Sequence, residues 1–104
     1  MSYCMVFSTC PGHQEAERLA TGILKAGLAA CIQLSSVKSF YMWENKAQAD
    51  VEVRLVMKTR IILYEKLEAY ILENHSYEVP QILMVPVEKG LKEYLSWIDE
   101  TTAV

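Results

Sequence analysis

The chain has 104 residues, a formal net charge of −3 at pH 7 and 52% hydrophobic residues. This length predicts a single domain spanning residues 1–104, and the apolar share exceeds the roughly 45–50% of ordinary domains, which favours burial of part of the surface against partner chains. The ten Lys and Arg residues are scattered, so the sequence offers no basic patch for nucleic acid.

Several features bear on the cellular compartment. No apolar run approaches the roughly 20 residues that cross a bilayer, and no secretory signal pattern opens the chain, so no membrane partner is predicted. The three cysteines lack C-x-x-C spacing. An odd number of thiols without such spacing is typical of free cysteines in a reducing compartment, and we expect a cytoplasmic protein.

The first half of the chain predicts one helix among three strands. Residues 3–7 form an apolar run without helical period, which is typical of a central strand. A helix follows Pro11 with apolar residues at three-and-four spacing, and Gly27 ends it as a left-handed cap. Apolar residues alternate over residues 28–43 and 51–58 on either side of a turn near Asn45 and Lys46, which predicts a long β-hairpin.

The length of this hairpin predicts that it protrudes. Arms of about 12 residues at about 3.3 Å each reach roughly 40 Å, whereas a 100-residue domain has a radius of gyration near 13 Å, so the tip must leave the body of the domain. Residues 40–43 are apolar on both faces of the tip. An exposed apolar strand end is an aggregation hazard, so we expect another chain to cover it.

The second half predicts a helix, a strand and a last helix. Thr59 is a candidate N-cap for a helix whose apolar stripe ends near His75, and a strand follows over residues 82–85. Pro86 ends this strand or lies on a sheet edge. A final helix follows Gly90. The order predicts an α+β fold, a ferredoxin-like β-α-β-β-α-β sandwich with an added C-terminal helix.

This architecture supports many functions, so the residues must discriminate among them. The chain lacks the aromatic motif of RNA-recognition domains, and its first loop lacks both the arginine of a phosphate cradle and a C-x-x-C pair for copper transfer. Cys10, His13 and His75 remain as thiol and imidazole donors suited to copper or zinc. The alternative is that Cys10 and His13 only belong to the cap region of the first helix.

Cys10 also raises the question of catalysis. A thiol hydrolase would use Cys10 as nucleophile and His75 as base within hydrogen-bond reach. No third residue that would orient the base is evident, so we predict that the protein is not an enzyme. Cys4 and Cys31 lie within predicted strands and are expected to be buried small apolar residues there.

Four separated motifs resemble one family. Residues 7–11 (FSTCP), 28–32 (LAACI), 41–46 (YMWENK) and 75–82 (HSYEVPQI) are similar to the CutA family of divalent-cation tolerance proteins, trimers related in shape to PII signalling proteins. The resemblance implies a homotrimer and a metal-associated histidine at His75. Where the family commonly has His-Pro-Tyr, this chain has His75-Ser76-Tyr77, and the missing proline loosens the turn.

A second group of residues, taken from these motifs and from Lys58-Thr59, which the family also shares, combines charged or hydrogen-bonding side chains with apolar neighbours. We expect it either to line an intersubunit cleft for a small anionic ligand or to form an intersubunit ion pair, from Glu44 or Glu78 to Lys58, that fixes the trimer register. The main prediction is a trimeric protein that binds Cu(II) or another divalent cation through His75 and Cys10. The alternative is a PII-like signalling or scaffolding trimer that uses the cleft group: Trp43, Glu44, Lys58, Tyr77 and Glu78.

Overall fold

The computed structural model describes residues 2–103 as one four-stranded antiparallel sheet with three helices. The strand order β2-β3-β1-β4, with every neighbouring pair antiparallel, is that of a ferredoxin-like sandwich and confirms the predicted fold class. The elements are β1 (Tyr3–Cys10), α1 (His13–Lys25), β2 (Cys31–Trp43), β3 (Lys46–Arg60), a 3₁₀ turn (Ile61–Leu63), α2 (Tyr64–Asn74), β4 (Leu83–Val87) and α3 (Lys92–Thr101).

The core lies between one face of the sheet and the helices α1 and α2. The predicted helical spacing is present, because residues three and four apart on each helix point to the sheet and are buried. The strands contribute alternate residues to the same layer. The buried side chains include Ala16, Leu19 and Ile23 of α1, Leu67 and Ile71 of α2, and Val6, Leu55 and Met57 of the sheet.

The hairpin of β2 and β3 is as long as predicted. All 13 residues of β2 pair with β3, from Cys31 opposite Lys58 to Trp43 opposite Lys46. Glu44 and Asn45 form the two-residue turn with φ of 49° and 64°, one residue earlier than expected, because two consecutive left-handed residues match the right-handed twist of the strands. The hairpin stretches the molecule to 44 Å along its longest axis, against 25 and 21 Å across it.

The prediction that Thr59 caps the second helix is wrong. Thr59 is still in β3, and its buried hydroxyl donates to the carbonyl oxygen of Leu28 at 2.8 Å. The 3₁₀ turn then separates the strand from α2, which begins only at Tyr64. The hydrogen bond to Leu28 competes successfully with capping because it holds the buried segment before β2 against β3.

The structure agrees with the predictions made for Gly27 and Pro86. Gly27 has φ of 72° and ends α1 in the left-handed region. Pro86 lies inside β4, opposite Cys4, and not beyond its end. Since β4 is an edge strand, a residue without an N–H is tolerated there, and the predicted edge position is confirmed.

The second face of the sheet is only partly covered by its own chain. We call it the open face; it carries Met5 and Phe7 of β1, Lys58 of β3 and Val85 of β4, which are cross-strand neighbours or share strand parity. Helix α3 covers one end, where Ile98 is buried. Apolar side chains elsewhere on this face remain exposed. The chain therefore does not bury all of the apolar surface of its own sheet.

Candidate functional site

His75 lies where α2 ends and its imidazole is fully buried. The backbone leaves the helix in an extended conformation at His75 (φ −93°, ψ 143°), which turns the side chain toward the end of β1. Its Nε2 lies 2.7 Å from the Thr9 carbonyl oxygen, and its Nδ1 accepts the Tyr77 N–H at 3.0 Å. These partners assign the neutral tautomer with the proton on Nε2.

Cys10 and Glu15 join His75 in one cluster. The Cys10 Sγ is 3.8 Å from Nε2, and the Glu15 Oε2 is 3.5 Å from Nδ1. One ligand atom from each residue lies within 4.8 Å of the others. We call these three residues the thiol–imidazole–carboxylate cluster. It is the one group of three or more His, Cys, Asp or Glu side chains with metal-binding spacing in the described range 2–103.

Sequence reasoning missed Glu15. Glu15 lies in the first turn of α1, four residues before Leu19 and eight before Ile23, which are both buried. Residues at this spacing share one helical face, so the buried stripe itself pointed to a carboxylate directed inward. Its Oε2 accepts the Ser76 N–H at 2.9 Å, and its side chain is only 12% exposed. The carboxylate therefore fixes the loop that carries His75.

The environment sets the protonation of the cluster. Burial, with a smaller effect of the Glu15 charge, raises the pKa of the Cys10 thiol to about 11. Burial also opposes ionisation of Glu15, but the hydrogen bond from Ser76 and the charge of Arg18 more than offset it, and the Glu15 pKa lies below its ordinary value. Near neutral pH the cluster thus holds a thiol and a carboxylate.

The donor set fits a borderline-soft divalent ion. Thiolate, imidazole and carboxylate are the ligand types of zinc and copper sites. The 3.8 Å between Sγ and Nε2 is close to the roughly 3.5 Å that a tetrahedral ion imposes between sulfur and nitrogen ligands. Binding there requires that Cys10 lose its proton and that one His75 nitrogen give up its present hydrogen bond.

The same geometry does not support the hydrolase alternative. His75 Nε2 carries the proton that Thr9 accepts, so its lone pair does not face the Cys10 sulfur. Cys10 is also 0% exposed and its thiol pKa is about 11. A nucleophile needs both access and a thiolate, and this residue has neither.

His13 is separate from the cluster. Its Nε2 lies 3.2 Å from the Ser36 Oγ, so this first-turn residue of α1 contacts β2. The structure therefore brings together two of the three predicted donors, Cys10 and His75. Cys4 is buried as predicted. The predicted burial of Cys31 is wrong, because Cys31 begins the edge strand β2 and is only half-buried; neither cysteine forms a disulfide.

The predicted cleft group does not assemble within one chain. Trp43 and Glu44 occupy the exposed hairpin tip, and Lys58 pairs with Cys31 at the other end of the hairpin. Twelve strand residues separate these ends, which is roughly 40 Å. The Lys58 Nζ donates to the Gln33 side-chain oxygen at 2.8 Å. An ion pair from Glu44 or Glu78 to Lys58 remains a prediction for the assembled protein.

Tyr77 links the cluster to the hairpin. Its ring lies 4.9 Å from the His75 ring, centroid to centroid, and its phenol donates to the Glu52 carboxylate at 2.9 Å. Burial and this hydrogen bond to a carboxylate raise the Tyr77 pKa. The neighbouring Glu78 is exposed. Tyr77 thus holds the loop after α2 against β3, and Glu78 takes no part in this contact.

The fold and the cluster together define a ferredoxin-like protein in which a thiol, an imidazole and a carboxylate converge within 4.8 Å. Comparison with known proteins gives the family: the profile described as CutA1 divalent ion tolerance protein matches residues 4–101. The chain belongs to this family, and the resemblance noted from its four motifs is confirmed. None of the helices described within residues 2–103 is long and apolar enough to span a membrane.

Individual relatives agree with this assignment. The divalent-cation tolerance protein CutA of Archaeoglobus fulgidus is 42% identical over 96 residues, which are 92% of this chain and 94% of that protein. The chloroplastic protein CutA 1 of Oryza sativa is 36% identical over 99 residues, which are 94% of this chain and 56% of that protein.

Solved structures share the fold closely. A structure described as the periplasmic divalent cation tolerance protein CutA of Archaeoglobus fulgidus has a TM-score of 0.94 at 40% identity and covers 95% of this chain and 97% of that one. A crystal structure of CutA1 from Pyrococcus horikoshii has a TM-score of 0.93 at 37% identity, with 97% of this chain and 99% of that one covered.

Proposed function

We propose that this chain serves divalent-cation tolerance by binding a divalent transition-metal ion, Cu(II) first among the candidates, at the thiol–imidazole–carboxylate cluster. Relatives at 42% and 39% identity are named divalent-cation tolerance proteins. The observation that carries the proposal is the convergence of Cys10, Glu15 and His75 within 4.8 Å. A metal would take its sulfur, nitrogen and oxygen ligands from these side chains.

A calorimetric titration with Cu(II) and with Zn(II) tests this assignment. His75→Ala and Cys10→Ser should each weaken binding at least about tenfold, since each removes a ligand. The other histidine and a second cysteine supply matched controls: His13→Ala and Cys31→Ser should leave the affinity unchanged. Binding that survives His75→Ala but is lost in His13→Ala would refute the site.

We also propose that the chain functions as a homotrimer. The hairpin exposes several large apolar side chains, and β4 exposes further ones on the open face. A lone domain rarely exposes such large patches, so partner chains account for them. The exposed fractions are 74% for Phe40, 67% for Met42, 64% for Trp43 and 71% for Val51 on the hairpin, and 51% for Leu83 and 43% for Val85 on β4.

Light scattering on the purified chain measures this directly. A mass three times the 11.9 kDa of the single chain is expected. Trp43→Glu at the hairpin tip should shift the distribution toward smaller species, because it places a charge in the contact. Lys66→Glu, on the exposed surface of α2 and outside the hairpin, serves as the charge-changing control. A monomeric parent would refute the proposal.

We place this function in the cytoplasm. Three cysteines without a disulfide in the described residues suit a reducing compartment. The Archaeoglobus fulgidus structure is described as periplasmic, so the location needs its own test. Fractionation of cells with an antibody to the native chain should recover it with cytoplasmic enzymes, and recovery with periplasmic markers would contradict the assignment.

A further inference from the structure

Tyr77 makes two hydrogen bonds that tie it to different parts of the fold. Its backbone N–H donates to the His75 Nδ1 at 3.0 Å, and its phenol donates to the Glu52 carboxylate at 2.9 Å. Glu52 lies in β3 opposite Val37 of β2, so it belongs to the hairpin. Tyr77 therefore connects the imidazole of the thiol–imidazole–carboxylate cluster to the hairpin, and every atom of this connection belongs to one chain.

The hydrogen bond from the Tyr77 N–H is lost when the His75 imidazole binds a metal ion. A neutral, metal-ligating imidazole has one nitrogen for the ion and one nitrogen that carries the proton. If the ion binds Nδ1, it takes the lone pair that now accepts the Tyr77 N–H. If the ion binds Nε2, the proton that now points to the Thr9 carbonyl oxygen at 2.7 Å moves to Nδ1. Nδ1 can accept from Tyr77 in neither case.

The surroundings of Nδ1 show what the change requires. The Glu15 Oε2 lies 3.5 Å from Nδ1, and a carboxylate that accepts the N–H of a ligating histidine is common in metal sites. The Tyr77 N–H has to turn away from the ring toward water or another acceptor, because a buried unpaired N–H is costly. The phenol opposes this movement, since its bond to Glu52 fixes the other end of the residue.

We propose that Tyr77 is a positioning residue that lowers the metal affinity of the cluster and couples metal binding to the hairpin through Glu52. This inference rests on the proposed function, because it concerns the same site. A contact that is stronger in the metal-free chain lowers the affinity for the ion, and by linkage the ion weakens that contact by the same factor. The coupling needs no access from solvent, so a partner chain on the open face does not prevent it.

Zinc affinity in matched variants tests the coupling. Tyr77→Phe keeps the ring and the backbone N–H but removes the bond to Glu52. Its Kd for Zn(II) in a calorimetric titration should be about fivefold lower than that of the parent, because one hydrogen bond no longer opposes the bound state. Tyr64→Phe removes a bond of the same type, from a phenol to the Glu68 carboxylate at 2.9 Å, at the other end of α2, and should leave the Kd unchanged. An unchanged or higher Kd in Tyr77→Phe would overturn the proposal.

An NMR titration with diamagnetic Zn(II) shows how far the change extends. In the ¹⁵N-labelled full chain, Zn(II) should shift the amide signals of Tyr77, of Glu52 and of its cross-strand partner Val37. The shifts of Glu52 and Val37 should largely disappear in Tyr77→Phe, and shifts that persist there would overturn the coupling.

The two proposals fail in different ways. Absence of Cu(II) and Zn(II) binding in the parent, or binding that His75→Ala leaves unchanged, would refute the proposed function and this inference with it. Binding that His75→Ala weakens and Tyr77→Phe does not strengthen would refute the inference alone.

Discussion

Replacing Glu15 tests whether the carboxylate that sequence reasoning missed holds the loop of His75 in place. Glu15→Ala removes the acceptor of the Ser76 N–H, a 2.9 Å hydrogen bond to a charged group. Such bonds contribute about 1.5–3 kcal/mol, and Ser76 is exposed, so water replaces part of the loss. We expect the free energy of unfolding to fall by about 1–2 kcal/mol. Glu15→Gln retains an oxygen acceptor and should lose about half as much.

The assay is urea unfolding at one fixed protein concentration, since any oligomer makes stability depend on concentration. The pH dependence gives a second readout. The pKa of Glu15 is lowered in the folded chain, so its contribution is fully present above the unfolded pKa and is lost as pH falls through the folded pKa. The difference between parent and Glu15→Gln should shrink in that acidic range. Equal losses for Ala and Gln, or a difference independent of pH, would refute the reasoning.

Three further predictions concern other parts of the fold. Burial raises the pKa of the Cys4 thiol from 9.0 to about 11. The contribution of this thiol to stability is therefore complete below pH 9, and about 3 kcal/mol of it is lost as pH rises through about 11. Unfolding measured across this range should show a flatter alkaline loss in Cys4→Ala, and an unchanged slope would contradict the assignment. Tyr77→Phe removes the hydrogen bond to Glu52 and should lower the free energy of unfolding by about 1 kcal/mol, with Tyr94→Phe, whose hydroxyl makes no side-chain hydrogen bond within residues 2–103, as control. Asn45→Gly should raise the free energy of unfolding by about 0.5–1 kcal/mol and raise the thermal midpoint accordingly, because glycine adopts the φ of 64° without strain. A lower midpoint would show that the Asn45 side chain stabilises the turn.

The repeating parts of the fold were predictable because each repeats a local physical rule. The stripe of α1, the alternation along β2 and β3 and the left-handed Gly27 follow from periodicity and backbone geometry alone, and the structure agrees with each. The length of the hairpin was also readable, since two alternating runs of similar length on either side of one turn determine it.

The structure differs from the sequence-based predictions where contacts between residues distant in sequence determine the local structure. Thr59 has the side chain of a helix cap, but its hydroxyl bonds to Leu28, 31 residues away, and this delays α2 to Tyr64. Local sequence patterns do not reveal a hydrogen-bond acceptor so far away in the chain, which competes with helix capping for the Thr59 hydroxyl. The grouping of Cys10 with His75 followed from their donor types and the predicted order of elements, whereas Glu15 required knowledge of which side of α1 meets the end of β1.

The protonated thiol of Cys10 and the hydrogen bonds of His75 both oppose metal binding at the thiol–imidazole–carboxylate cluster. Removing the proton from a thiol with a pKa of about 11 costs roughly 5 kcal/mol at pH 7. Freeing one nitrogen of His75 from Thr9 or Tyr77 adds about 1 kcal/mol. The proposed site would therefore bind a metal ion more weakly than a preformed thiolate site does. On the proposed function, a site with such a threshold would bind ions in excess and leave scarce ions to other proteins, whereas tight buffering would require an ionised, accessible Cys10.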